Sequence, residues 1–335
     1  MLTLEGSTLV FRFPQVHEEA VARIEFQRTL RVPNDGKVYP LPPGLGRLPL
    51  EHVEDFEGFL PAEWGERGGA FMPLHRAEAM WISFPGDGND YPFAIKIAAG
   101  KINAISGMPW DPGLANTVRD YLVIPGQPWL DGYRTDLNEV RQFVAMPLGA
   151  GYSAEEQLTG EACHGGLQII AYPMLAEYYE RMTPYVSDDR ARACGSMGRR
   201  SSKRRGMGLA AGGRISQQVF VDSYGLDAWD QDHFARCFVT LMDASDWREV
   251  TGHAPGARPP TAKNYNNAGL PWFSYYAEGP VIGGAPRLAA LKTVGDQTQR
   301  ARAGTIPSDD AIEPHHIVKL RPRIRTGRRV KQSDW

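Results

Sequence analysis

Cys163 and His164 stand side by side in the run EACHG, residues 161–165. A thiolate supplies a nucleophile and an imidazole a base, so the pair is the candidate for thiol-based hydrolysis, with Asp230 as an acid elsewhere in the chain. Neighbouring side chains diverge on most backbones, so a working dyad here demands unusual local geometry. The second group of candidates is aromatic. Residues 105–113 and 124–132 share the pattern I-x-G-x-P-W-x-x-G at an offset of 19 residues, and G-L-P-W recurs at 269–272. Each of these loops presents one tryptophan: Trp110, Trp129 and Trp272. Stacked on a sugar or another flat molecule, they would act with Asp111, Asp131 and Tyr275 as polar partners. The bland alternative is that the tryptophans fold inward and cap the ends of a sheet.

Other motifs fall away on inspection. EACHG resembles the Q-A-C-x-G stretch of caspases, but polar EEQLTG precedes it where that family has a hydrophobic strand. The nearest upstream histidine, His75, lies 88 residues back, against about 50 in that family. The run GMGLAA at 206–211 matches G-x-G-x-x-A, yet cationic SSKRR stands where a dinucleotide fingerprint needs a hydrophobic strand. Its backbone through Arg214 reads at most as an anion nest. No C-x-x-C or H-E-x-x-H spacing occurs, and Asp222, Asp227, Asp230, Asp232 and His233 lack the glycine and closing glutamate of an EF-hand loop. No metal and no cofactor are therefore expected.

Charge is the clearest electrostatic feature. The net value is only −2, but residues 190–207 and 317–335 together hold 14 of the 37 basic residues and one of the 39 acids. The remainder carries a net −15. Arg199, Arg200, Lys203, Arg204 and Arg205 in the first stretch, with Arg321, Arg323 and Arg325 in the second, are candidates for docking on an acidic protein surface. That surface belongs either to this body or to another copy in a homo-oligomer. An acidic body repels phosphates and no aromatic residue interleaves with either run, so nucleic acid is not the expected partner.

The elements that must position these residues read mainly as strands. The 36 glycines and 26 prolines favour turns over long helices. Residues 23–32 alternate, with Ile24, Phe26, Leu30 and Val32 on one parity. Residues 79–84 and 92–105 flank the turn PGDGNDYP and suggest a hairpin. Further strands are expected at 121–124, 140–146, 167–172, 215–221 and 235–242, with short helices at 153–161 and 174–182. Ser153 and Glu156 have capping-box spacing. VKLRPRIR at 318–325 reads as an edge strand or extended arm whose proline bars a central position. The expectation is an α+β, β-rich fold of mainly antiparallel sheets, sandwich- or barrel-like, with a few short helices. The organisation read from composition is a β-rich lobe over 1–187, a flexible basic loop over 188–207, a second α+β lobe over 208–300 and an extended basic arm over 301–335.

The stretches AIKIAAGKINAISG (94–107), YLVIPGQPWLDG (121–132), RQFVAMPLGAGYSAEEQLTG (141–160), GLAAGGRISQQVF (208–220) and AGLPWFSYY (268–276) resemble an uncharacterised family of bacterial and fungal proteins. Members of that family are sometimes labelled integral membrane proteins. The resemblance implies no activity, cofactor or site, and the hydropathy contradicts the label. The longest apolar run, 167–176, is broken by Gln168 and Pro173 and falls far short of the ~20 residues of a spanning helix. No secretory leader is visible at the N-terminus. Three unevenly spaced cysteines, Cys163, Cys194 and Cys237, suit a reducing cytoplasm. The expected function is a cytoplasmic, non-catalytic binding or self-assembling protein whose basic arm docks on an acidic body. The alternatives are an enzyme with a dispersed site and a small-ligand or sugar-binding module built on the G-x-P-W loops.

Overall fold

The computed structural model describes residues 1–335 except 87–89, 116–118, 183–205, 302–305, 307–309 and 321–335. The fold is β-rich α+β, with one large antiparallel sheet that does not close into a barrel. Neighbours along its main path are Leu2–Glu5, Thr8–Arg12, Val21–Thr29, Ala79–Ser83, Glu139–Pro147, Gly206–Ser216, Ala235–Asp243, Leu167–Pro173, Phe93–Ala99 and Leu122–Ile124. Every pairing on this path is antiparallel.

Alternation decides which face each strand buries. In Val21–Thr29 the even residues Ala22, Ile24 and Phe26 enter the main core, while Val21, Arg23, Glu25 and Gln27 stay half-buried on the other side. Arg28 falls on the core-facing parity, an exception taken up below. Phe93–Ala99 is buried on both faces. A strand with two apolar faces needs neighbours at its edges and cover above and below. It therefore lies between Leu167–Pro173 and Leu122–Ile124, not in a hairpin with Ala79–Ser83. Ala79–Ser83 instead pairs with Val21–Thr29 and Glu139–Pro147.

The 206–216 stretch also differs from its sequence reading. It is a long strand, in ladder with Glu139–Pro147 from Met207↔Pro147 to Ser216↔Glu139, so its backbone is in a strand and not curled into an anion nest. The helix Ala154–Thr159 forms as its spacing dictates. Ser153 Oγ accepts the Glu156 N–H, Glu156 reaches back to the Ser153 N–H at 3.0 Å, and Gly160 closes the C-terminus in the left-handed region. No helix among the described residues is long and apolar enough to cross a membrane.

A second core cluster sits outside the main one. Leu30, Val32, Tyr39, Leu41, Val140, Ile215, Tyr265 and Trp272 pack together there, with Trp129 and Tyr275 against their margin. A small parallel pair, Trp272–Tyr275 with Ile317–Leu320, joins this region through the bridge Leu41↔Phe273.

Candidate functional site

The margin of the second cluster holds a small, shallow cleft lined by Leu41, Gln127, Pro128, Trp129, Ser216, Gln217, Gln218 and Tyr275. Two of the aromatic-loop candidates line it, Trp129 and Tyr275, and a third, Asp131, is buried beneath. Trp129 is fixed by the short strand Trp129–Leu130, which pairs with Ser83 and Ile82. Its ring meets Tyr275 edge-on at 4.9 Å between centroids and Trp81 at 6.4 Å. Such edge-to-face pairs add roughly 0.5–1.5 kcal/mol beyond the area they bury.

Beneath the ring lies a polar network that sets its orientation. The Trp129 indole N–H donates to Asp131 Oδ2 at 2.7 Å, and Gln217 Nε2 donates to the same oxygen at 2.8 Å. Gln217 Oε1 accepts the Asp131 backbone N–H at 2.9 Å. Gln127 donates to the carbonyls of Trp129 and Gln218 and accepts from the Phe220 N–H. Asp131 is buried, and burial pushes its carboxyl up to about 7, the indole hydrogen bond pulling partly the other way. Burial likewise raises the Tyr275 hydroxyl above its ordinary value. Among the described residues no hydrogen bond engages the Tyr275 or Ser216 hydroxyl. The cleft thus offers a half-buried, oriented aromatic wall and two uncommitted hydroxyls.

The remaining aromatic-loop candidates go elsewhere. Trp272 is fully buried, its ring packed among Tyr39 and Tyr265, so it serves the core beside the cleft. Trp110 packs on the main core, and the Lys96 ammonium lies 5.9 Å from its ring centre. Asp111 is exposed and accepts the Gly113 N–H, closing its own turn. Gly107 and Gly269 take the positive φ that their loops require, while Gly126 does not. Gln127, Gln217, Leu41 and Trp81 complete the site without having been candidates. Gln127 lies inside the 124–132 motif as one of its variable positions, and nothing in the sequence marks Gln217.

Lys96 is a feature that sequence reading passes over. It occupies the middle of Phe93–Ala99 with a side chain only 1 % exposed, ion-paired to Asp120 and donating to the Gly113 carbonyl. Burial raises the Asp120 carboxyl, and Lys96 pulls it partly back.

Cys163 and His164 are not assembled as a dyad. His164 Nδ1 lies 2.9 Å from Oε1 of the buried Glu155, and Glu155 also accepts the N–H groups of His164 and Gly165. Arg67 donates to the Cys163 and His164 carbonyls. Cys163 is an exposed free thiol, and no hydrogen bond joins it to the imidazole. Asp230 is remote from both. It lies beside Pro173, whose carbonyl accepts its N–H, whereas Cys163 precedes Leu167 at the other end of the same strand. Seven residues of strand separate the two ends by about 20 Å. Asp230 instead closes a turn, accepting the Asp232 and His233 N–H groups and holding His233 Nδ1 at 2.9 Å.

Arg199, Arg200, Lys203, Arg204, Arg205, Arg321, Arg323 and Arg325 lie outside the described residues. Among the described residues no cluster of three or more histidine, cysteine or acidic side chains is placed to hold a metal ion. In comparisons with protein families, curated proteins and solved structures, nothing matches the chain.

Proposed function

We propose that this chain is a non-catalytic binding protein whose cleft at Trp129 and Tyr275 receives a small ring-shaped polar compound, with a single sugar ring the favoured class. The observation that carries the reading is the anchoring of the Trp129 indole by Asp131 and Gln217. A stacking platform gains affinity when its orientation is fixed before the ligand arrives. The cleft is shallow, with room for little more than a water molecule, so a ligand would lie flat against the Trp129 ring and not sink into an enclosed pocket. The open hydroxyls of Tyr275 and Ser216 would recognise ligand hydroxyls. Titration of the tryptophan fluorescence with monosaccharides and nucleosides tests the reading. A saturable change that disappears in Trp129→Phe supports it; no response from any of them removes it.

A second reading, self-association through the basic C-terminal arm, is favoured by a different observation. The strand that enters the arm, Ile317–Leu320, has all four residues exposed and is paired on one edge by Trp272–Tyr275. Open strand edges with apolar side chains recruit further strands. Light scattering at low and high salt, with and without residues 317–335, checks it, and a monomer under every condition rules it out. A cytoplasmic setting belongs to the same proposal and rests on the sparse cysteines.

A further inference from the structure

Arg28 breaks the pattern of its own strand. It continues the inward row Ala22, Ile24, Phe26, yet carries a guanidinium whose side chain is 9 % exposed. Its Nε end is ion-paired to Glu78, whose side chain is wholly buried. Hydrophobic residues of similar volume would serve stability at least as well, because desolvating both charges costs as much as their attraction returns. The pair therefore invites a functional explanation.

The other end of the guanidinium carries it. Nη2 donates to the Pro255 carbonyl at 2.9 Å and Nη1 to the Ala257 carbonyl at 3.3 Å. The intervening Gly256 carbonyl faces His75 Nε2 at 3.2 Å. These carbonyls belong to residues 252–261, an irregular, largely exposed strap between the helices Ala244–Thr251 and Ala262–Asn267. Two oxygens on the paired Nη groups reproduce the bidentate geometry with which arginine holds a carboxylate. Backbone carbonyls are neutral, and a carboxylate on the same fork would add a charge–charge attraction to the two hydrogen bonds. The strap approaches so closely that only glycine fits: Gly256 has φ +85°, and a Cβ there would stand 2.1 Å from Arg28 Nη1.

We infer that Arg28, backed by Glu78 and His75, is a binding site for a small carboxylate-bearing compound, and that the Pro255 and Ala257 carbonyls occupy the carboxylate's place until the strap is displaced. The turn that supplies His75 and Glu78 is itself tightly held. Ala77 within it adopts φ +61°, the one non-glycine residue in the left-handed region among those described, and its N–H bonds the Ala145 carbonyl. Glu78 receives the His75 N–H at 2.6 Å, and Arg258 of the strap donates to the Arg76 carbonyl. Nothing in this site is shared with the Trp129 cleft, so either reading stands without the other.

Sodium pyruvate, with sodium chloride as the anion control, tests the inference on the full chain. In the wild type, saturating pyruvate should raise hydrogen exchange of the 252–261 amides several-fold while chloride leaves it unchanged. Gly256→Ala pushes the strap off the fork and should bind pyruvate about tenfold more tightly by calorimetry, because the competent state no longer has to be opened. Arg28→Lys keeps the charge but loses the fork and should abolish both effects. Unchanged exchange in the wild type overturns the inference even if Gly256→Ala fails to fold. Equal responses to chloride and pyruvate, or responses that survive Arg28→Lys, overturn it as well.

Discussion

The indole N–H of Trp129 and the carboxylate of Asp131, which lies in the one-residue gap between the strands Trp129–Leu130 and Gly132–Asp136, are joined by a 2.7 Å hydrogen bond beneath the cleft. The bond ties the orientation of a half-buried aromatic ring to the protonation of a buried acid. In the unfolded chain an aspartate titrates near 3.9, whereas Asp131 in the fold is pushed up to about 7. Between those values the folded chain holds a proton that the unfolded chain has released. The contribution of Asp131 is therefore full below the unfolded value, is lost as pH rises through the window, and is level above it. Chemical denaturation of wild type and Asp131→Asn from about pH 5 to about pH 8 should show the wild type losing ground to the variant as pH rises. Glu78, also raised to about 7, titrates in both chains and cancels from the difference. A constant gap would show that Asp131 titrates normally.

The two tryptophans at the second cluster should separate by role. Trp272→Ala removes a fully buried ring and is expected to cost about 3–5 kcal/mol in unfolding free energy. Trp272→Phe should be far milder, since its indole N–H has no partner among the described residues to lose. Trp129→Phe should leave the midpoint of thermal unfolding within a few degrees of wild type while abolishing any ligand-induced fluorescence change. Equal destabilisation at both positions would make the cleft an ordinary part of the core.

Lys96 and Asp120 offer a third test. Lys96→Met leaves a buried carboxylate without its counter-charge and should cost about 3–5 kcal/mol. Adding Asp120→Leu removes the orphaned charge and should recover most of the loss. Urea unfolding of the two single variants and the double variant measures the coupling, and additive losses would show that the charges do not act as a pair.

Cys163 should behave as an ordinary exposed thiol. Its side chain makes no bond to His164, whose Nδ1 is committed to Glu155. Labelling by a thiol reagent should run at the rate of a model peptide, and His164→Ala should change that rate less than about twofold, because no neighbouring base promotes the thiolate. A tenfold fall in that variant would revive the thiol-hydrolase alternative.

How much of this was legible beforehand depends on the length scale of the signal. Strands 21–29, 139–147, 167–173 and 235–243 announce themselves by alternation or by a short apolar run between turns, and the Ser153–Glu156 cap by its spacing alone. The pairing of Ala79–Ser83 was hidden, because the partners it finds lie some 50 residues away on either side, and a turn motif next door says nothing of them. Trp129, Asp131 and Tyr275 were reachable as an aromatic loop set. Gln217 was not, since its role depends on where one strand ends relative to another. Arg28 and Lys96 were readable in principle as charges on apolar parities, the mark of a strand with something other than packing to do.

The order of the sheet has a consequence for how the molecule is put together. One group of five strands ends at Glu139–Pro147 and another of three begins at Leu167–Pro173; only Gly206–Ser216 and Ala235–Asp243 lie between them. Among the described residues these two strands pair through Gly206↔Met242 and Met207↔Leu241, a narrow seam. On the ribosome both groups must wait with bare edges until the seam has been synthesised. Closures of this reach are slow relative to local contacts. Substitutions at Met207 or Leu241 should therefore slow refolding more than equally buried changes in the N-terminal hairpin.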